Sequence, residues 1–125
     1  MTETYIPRVA SDLLAPVIEN ADVAVYDLFA AHMRAGRGVV IRDRTFRNCR
    51  LEGPAVLLIL SGTTFDRCDI GYGAGSTRNL LFQPLGEKAT GAIAFENCRF
   101  EGCQFFAVGY TGSQVVIDAL SQVGE

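Results

Sequence analysis

The sequence predicts a mainly β chain in which short strands stack in parallel around one filled core, with helical segments at both ends. Three observations lead there. A short pattern recurs three times, its third copy contains a tighter period of five, and Ala55-Val-Leu-Leu-Ile-Leu60 is apolar on both faces of any strand it could form.

The recurring segments are Thr45-Phe-Arg-Asn-Cys-Arg-Leu-Glu-Gly53, Thr64-Phe-Asp-Arg-Cys-Asp-Ile-Gly71 and Ala94-Phe-Glu-Asn-Cys-Arg-Phe-Glu-Gly102. Each carries a Phe, a Cys three positions on, and Leu, Ile or Phe two beyond that. Phe46, Phe65 and Phe95 are separated by 19 and 30 residues, while Phe95, Phe100 and Phe105 recur every five, as do Cys98 and Cys103. Tyr110 continues the apolar series. A five-residue unit with a small residue two places before a large apolar one makes one short side with both residues pointing inward. Four such sides close a coil of about 20 residues, and coils stack by main-chain hydrogen bonds along the axis. The 19-residue spacing fits one coil. The 30-residue spacing fits one coil plus an excursion within Gly71–Arg78 or Pro84–Gly91, both rich in glycine and polar residues.

Cys49-Arg-Leu-Glu-Gly53, Cys98-Arg-Phe-Glu-Gly102 and Cys103-Gln-Phe-Phe-Ala107 resemble units of the pentapeptide-repeat proteins, over residues 44–112. The resemblance implies a short right-handed parallel β-helix of about four coils. Pro54–Gly62 departs from the five-residue rhythm, so a pectate-lyase-like β-helix with longer strands is a competing geometry. Superposing the three copies predicts two outward ladders, Arg50/Asp69/Arg99 and Arg47/Asp66/Glu96, at a spacing of about 4.8 Å. Opposite charges meet between the first two copies of each, as cross-strand pairing favours.

Open ends of such a stack need covering. Residues 1–37 are expected to form an amino-terminal helical cap, 38–112 the coils and 113–125 a carboxy-terminal capping helix, all one domain. Ser113 is a plausible N-cap ahead of an apolar stripe of Val116, Leu120 and Val123. Tyr26–Ala35 has helical spacing of Leu28, Phe29 and Met33 and ends at Gly36, and Ser11-Asp-Leu-Leu-Ala15 is a second helical start, stopped near Pro16. Val39-Val-Ile41 is then the first strand. The outer face of Val56–Leu60 requires a cover, supplied by the amino-terminal helix or by a second subunit.

A chain of 125 residues with 49% hydrophobic and 20% charged residues has the size and composition of a single globular domain. The net charge of −3 argues against a nucleic-acid binder, which relies on a basic surface. Met1-Thr-Glu-Thr-Tyr-Ile-Pro7 carries an acidic residue and no apolar core, so no secretory leader is expected, and no apolar run reaches membrane-spanning length. Reduced thiols and a cytoplasmic location are the default reading of Cys49, Cys68, Cys98 and Cys103, which serve best as inward packing residues. His32 has no ligand or carboxylate at useful spacing and reads as a surface or half-buried structural residue. Gly71-Tyr-Gly-Ala-Gly-Ser-Thr77 lacks the Lys of a phosphate loop.

No catalytic, cofactor-binding or metal-ligating residue is assigned, and no cofactor is expected. The reading is a non-enzymatic interaction or scaffold module that offers a rigid face to a protein partner or to its own copy, as a homodimer through Val56–Leu60. A DNA-mimicking rod, as in some pentapeptide-repeat proteins, is excluded by the short stack and mixed charges. The alternative is a small carbohydrate-active or sugar-binding protein using the face around Asp66, Asp69, Arg99 and Tyr72, where Asp66, Asp69, Glu96 and Glu101 would form an acidic patch flanked by Arg50 and Arg99.

Overall fold

In the computed structural model, residues 8–70, 81–82 and 91–123 are described. Most of their strands span two to four residues, with two longer ones of ten and nine. They run β1 (Val17–Glu19), β2 (Asp22–Ala24), β3 (Val40–Arg42), β4 (Thr45–Arg47), β5 (Arg50–Ile59), β6 (Thr64–Asp66), β7 (Leu81–Phe82), β8 (Ile93–Glu96), β9 (Arg99–Glu101) and β10 (Gln104–Gly112). Helix α1 (Val25–Arg34) follows β2, and α2 (Gln114–Val123) follows β10.

The corners have a common chemistry. Asn20, Asp43, Asn48, Arg67, Asn97 and Gly102 each follow a strand and adopt left-handed backbone, with φ between 50° and 62°. Asn, Asp and Gly enter that region most readily, and Arg67 is the exception. Corner side chains also stack, with Asn48 Nδ2 donating to Asn20 Oδ1 and Asn97 Nδ2 to Asp43 Oδ1, both at 2.7 Å. The next residue turns inward and is usually small: Ala21, Cys49, Cys98 and Cys103 are buried and Cys68 half-buried. Arg44 alone puts a charged side chain at such a position.

Every ladder is parallel. One sheet has the order β1-β4-β9-β6, and the other runs β3-β8-β5-β10-β7 with β2 added on β5. The ladders place the segments in a spatial order unlike their chain order. Strand β9 lies between β4 and β6, and β8 lies between β3 and the end of β5. Residues 93–106 are therefore inserted between 40–52 and 57–70.

This arrangement shifts the expected register by one five-residue unit. Phe100, not Phe95, is the partner of both Phe46 and Phe65, stacked on each at 5.0 Å between ring centroids. Phe95 pairs instead with Ile41 and Ile59 and meets Phe100 edge-on at 5.7 Å. The outward ladders change accordingly. Glu101 stands between Arg47 and Asp66, Gln104 between Arg50 and Asp69, and Arg99 between Thr45 and Thr64. The new register creates real pairs, Arg47–Glu101 at 2.8 Å and Arg42–Glu96 at 2.7 Å.

Strand pairing also starts earlier than Val39, because β1 pairs with β4 and β2 with β5. Residues 17–24 thus belong to the sheets rather than to a helical cap. Ser11–Ala15 forms bends and turns instead of a helix. Asp12 Oδ1 accepts the Leu14 amide at 2.8 Å, a local bond that competes with helix formation. The two expected helices do form. Helix α1 buries Val25, Leu28 and Ala30 and packs against β2 and β5, and α2 packs against β10 and buries Leu120. Ser113 Oγ accepts the Val116 amide at 3.3 Å, the N-cap bond. The glycine-rich stretch from Gly71, and that from Pro84 up to Gly91, lie outside the described residues. Among those described, no helix is long and apolar enough to cross a membrane.

Candidate functional site

Three clusters carry groups with chemical potential: a thiol column, an outer acidic strip, and a basic cavity at one end of the ladders.

The thiols line up because each follows a corner. Each donates to a carbonyl on the neighbouring strand: Cys49 to Ile18 at 3.3 Å, Cys103 to Phe46 at 3.2 Å, Cys68 to Phe100 at 3.2 Å and Cys98 to Ile41 at 3.5 Å. Backbone bonds Gln104 N–H to Cys49 and Asp69 N–H to Cys103 put Cys103 between Cys49 and Cys68. The thiols of Cys49 and Cys68 are coupled to that of Cys103 between them, which lowers the outer two and pushes Cys103 well up. Burial raises Cys98. All four are free, and among the described residues no three His, Cys, Asp or Glu side chains converge as metal ligands. The column is packing, with its polar hydrogens satisfied by main chain.

The acidic residues do not converge on one patch. Asp66 and Glu101 are register partners, but Arg67 holds Asp66 at 3.2 Å and Arg47 holds Glu101. Asp69 lies round the corner opposite Gln104, and Glu96 is on the other sheet beside Arg42. Tyr72 is outside the described residues.

The basic cavity was not legible in the sequence. Leu14, Pro16, His32, Arg37, Val40, Arg42, Asp43 and Arg44 line a space of about 350 Å³. His32 sits in the last turn of α1 and is only 4% exposed, not on the surface, and neither ring nitrogen has a partner. Arg44, 3% exposed, sends its guanidinium to the carbonyls of Leu13 and Ala15, leaving Nε without a partner. Burial, and then the positive charge of Arg37, lower its pKa. Arg37 Nη1 donates to the Leu14 carbonyl at 3.2 Å. Asp43 accepts from Asn97, and Arg42 is held by Glu96. The one sequence signal was Arg44 itself, a charge where the five-residue unit calls for a small inward residue.

At the opposite end Ile59, Phe65, Val116 and Leu120 border an apolar gap of about 280 Å³ between α2 and the sheets. No protein-family model, no curated protein and no solved structure matches this chain.

Proposed function

We propose that the chain is a short right-handed parallel β-helix, built on units similar to those of pentapeptide-repeat proteins, that works as a non-enzymatic interaction or scaffold module. Parallel ladders, several three-residue strands and left-handed corners five residues apart at 43/48 and 97/102 support the architecture. Free thiols in reduced form suit a cytoplasmic setting.

One observation carries the functional reading. On β5, Leu57 and Ile59 point into the core, while Val56 and Leu58, and Leu60 just after the strand, remain half-buried on the outside. Helix α1 packs against β5, yet these three side chains stay only half-buried. An apolar outer face on a rigid sheet stabilises association with a like surface, and a second copy of this chain supplies one.

Sedimentation velocity over a concentration series tests this. The chain is expected to sediment as a dimer that Leu58→Asp returns to monomer, with the circular dichroism spectrum unchanged. A wild-type chain that stays monomeric up to its solubility limit would refute self-association through this face.

A further inference from the structure

We propose that the cavity bounded by His32, Arg37, Arg42 and Arg44 binds a small phosphate-bearing anion.

Arg44 is the buried cation of this cavity. It occupies a corner position filled elsewhere by Ala21, Cys49, Cys98 and Cys103, so its charge is carried into a place built for small apolar groups. Its hydrogen bonds go to two neutral carbonyls, and among the described residues neither Arg44 nor Arg37 forms an ion pair. A buried cation without a counter-ion is costly, and a bound anion offsets that cost. Asp43 is the only acidic residue in the lining, and the Asn97 amide already engages it.

His32 gives the second, independent indication. It is almost wholly buried in the cavity wall, and among the described residues neither ring nitrogen, both closed to water, has a partner. Buried polar groups in folded proteins are nearly always hydrogen-bonded, so an unpartnered imidazole in the cavity wall is a group that a bound acceptor satisfies once the ring turns toward it. Arg44 Nε is unpartnered in the same way.

Size and charge select the ligand. A volume of about 350 Å³ fits a small metabolite rather than a polymer. Arg37, Arg42 and Arg44 outnumber the single carboxylate of Asp43 in the lining, an excess of positive charge that suits the dianion of a phosphate monoester, and the guanidinium N–H groups not taken by main chain are donors for its oxygens. The inference is independent of the self-association proposed above, because Val56, Leu58 and Leu60 are not in the lining.

The chain has a single histidine, so its imidazole carbon-bound proton resonances report on the cavity alone. The full-length protein would be titrated at constant pH and ionic strength with inorganic phosphate, glycerol 3-phosphate, citrate and chloride. A saturable shift with the phosphates, complete by about 10 mM, is expected, with none from chloride or citrate. Tighter binding of glycerol 3-phosphate assigns the site to an ester, and equal binding assigns it to free phosphate. Arg37→Ala, at an exposed position, should weaken binding on the order of tenfold while leaving the unliganded spectrum folded. Arg44→Lys, which keeps a charge but loses the fork, should also weaken it. A histidine signal unmoved by either phosphate, an equal response to citrate, or unchanged affinity in Arg37→Ala would overturn the proposal.

Discussion

Phe100 lies at the centre of the aromatic core, and the way its stability contribution divides among neighbours tests the register directly. Its ring stacks on Phe46 and on Phe65 at 5.0 Å, and meets Phe105 at 5.2 Å and Phe95 at 5.7 Å edge-on. Each aromatic pair contributes about 0.5–1 kcal/mol beyond area burial, so Phe100→Leu should cost about 2–4 kcal/mol from these contacts. A Phe46→Leu, Phe100→Leu double-mutant cycle should return a coupling of about 1 kcal/mol. The cycle between Phe46 and Phe65, which flank Phe100 without touching each other, should return a coupling near zero. Urea unfolding followed by far-ultraviolet circular dichroism gives the four stabilities of each cycle, and suits a chain without Trp. A Phe46–Phe65 coupling as large as that of Phe46–Phe100 would mean that the segments stack in chain order, and the ladders described above would be wrong.

A Cβ at Gly53 would stand 1.9 Å from the Ala107 carbonyl oxygen, a backbone atom, so Gly53→Ala should destabilise by about 2–3 kcal/mol in urea unfolding, and a neutral result would contradict this close approach. Burial pushes the Tyr110 hydroxyl above its ordinary range, and this hydroxyl donates to the Ile70 carbonyl. The folded chain then holds the proton more tightly than the unfolded one, so the contribution is complete below about pH 10 and is lost as pH rises beyond it. Tyr110→Phe should cost about 1 kcal/mol at neutral pH and flatten the alkaline decline of stability, and an equally steep decline in the variant would contradict the assignment. Among the thiols, half-buried Cys68 should react first with a water-soluble disulfide reagent, and Cys49, Cys98 and Cys103 only on unfolding, as read by mass spectrometry of the labelled peptides.

Much of the architecture is written locally. The five-residue alternation of a small inward residue with a large one marks Cys49 with Leu51, Cys98 with Phe100 and Cys103 with Phe105, and all six are buried. The Ser113 cap and the amphipathic spacing of residues 26–35 likewise specify helices that form. Corner residues such as Asn48 and Asn97 are also local signals, since few side chains accept left-handed backbone.

What the sequence determined by itself is this repeating unit: which residues point inward, where the chain turns, and where it becomes helical. Only the tertiary structure decided which unit rests on which. A pattern that repeats every five residues matches itself equally well after a shift of five, so Phe95 and Phe100 are equivalent by local criteria. Long-range hydrogen bonds and the ring contacts of Phe100 break the tie, inserting residues 93–106 between 40–52 and 57–70. The cavity around Arg44 and His32 has the same origin. It is formed by residues from the 14–16 turn, the end of α1 and the 37–44 segment, whose proximity depends on packing between segments and on no spacing within any one of them.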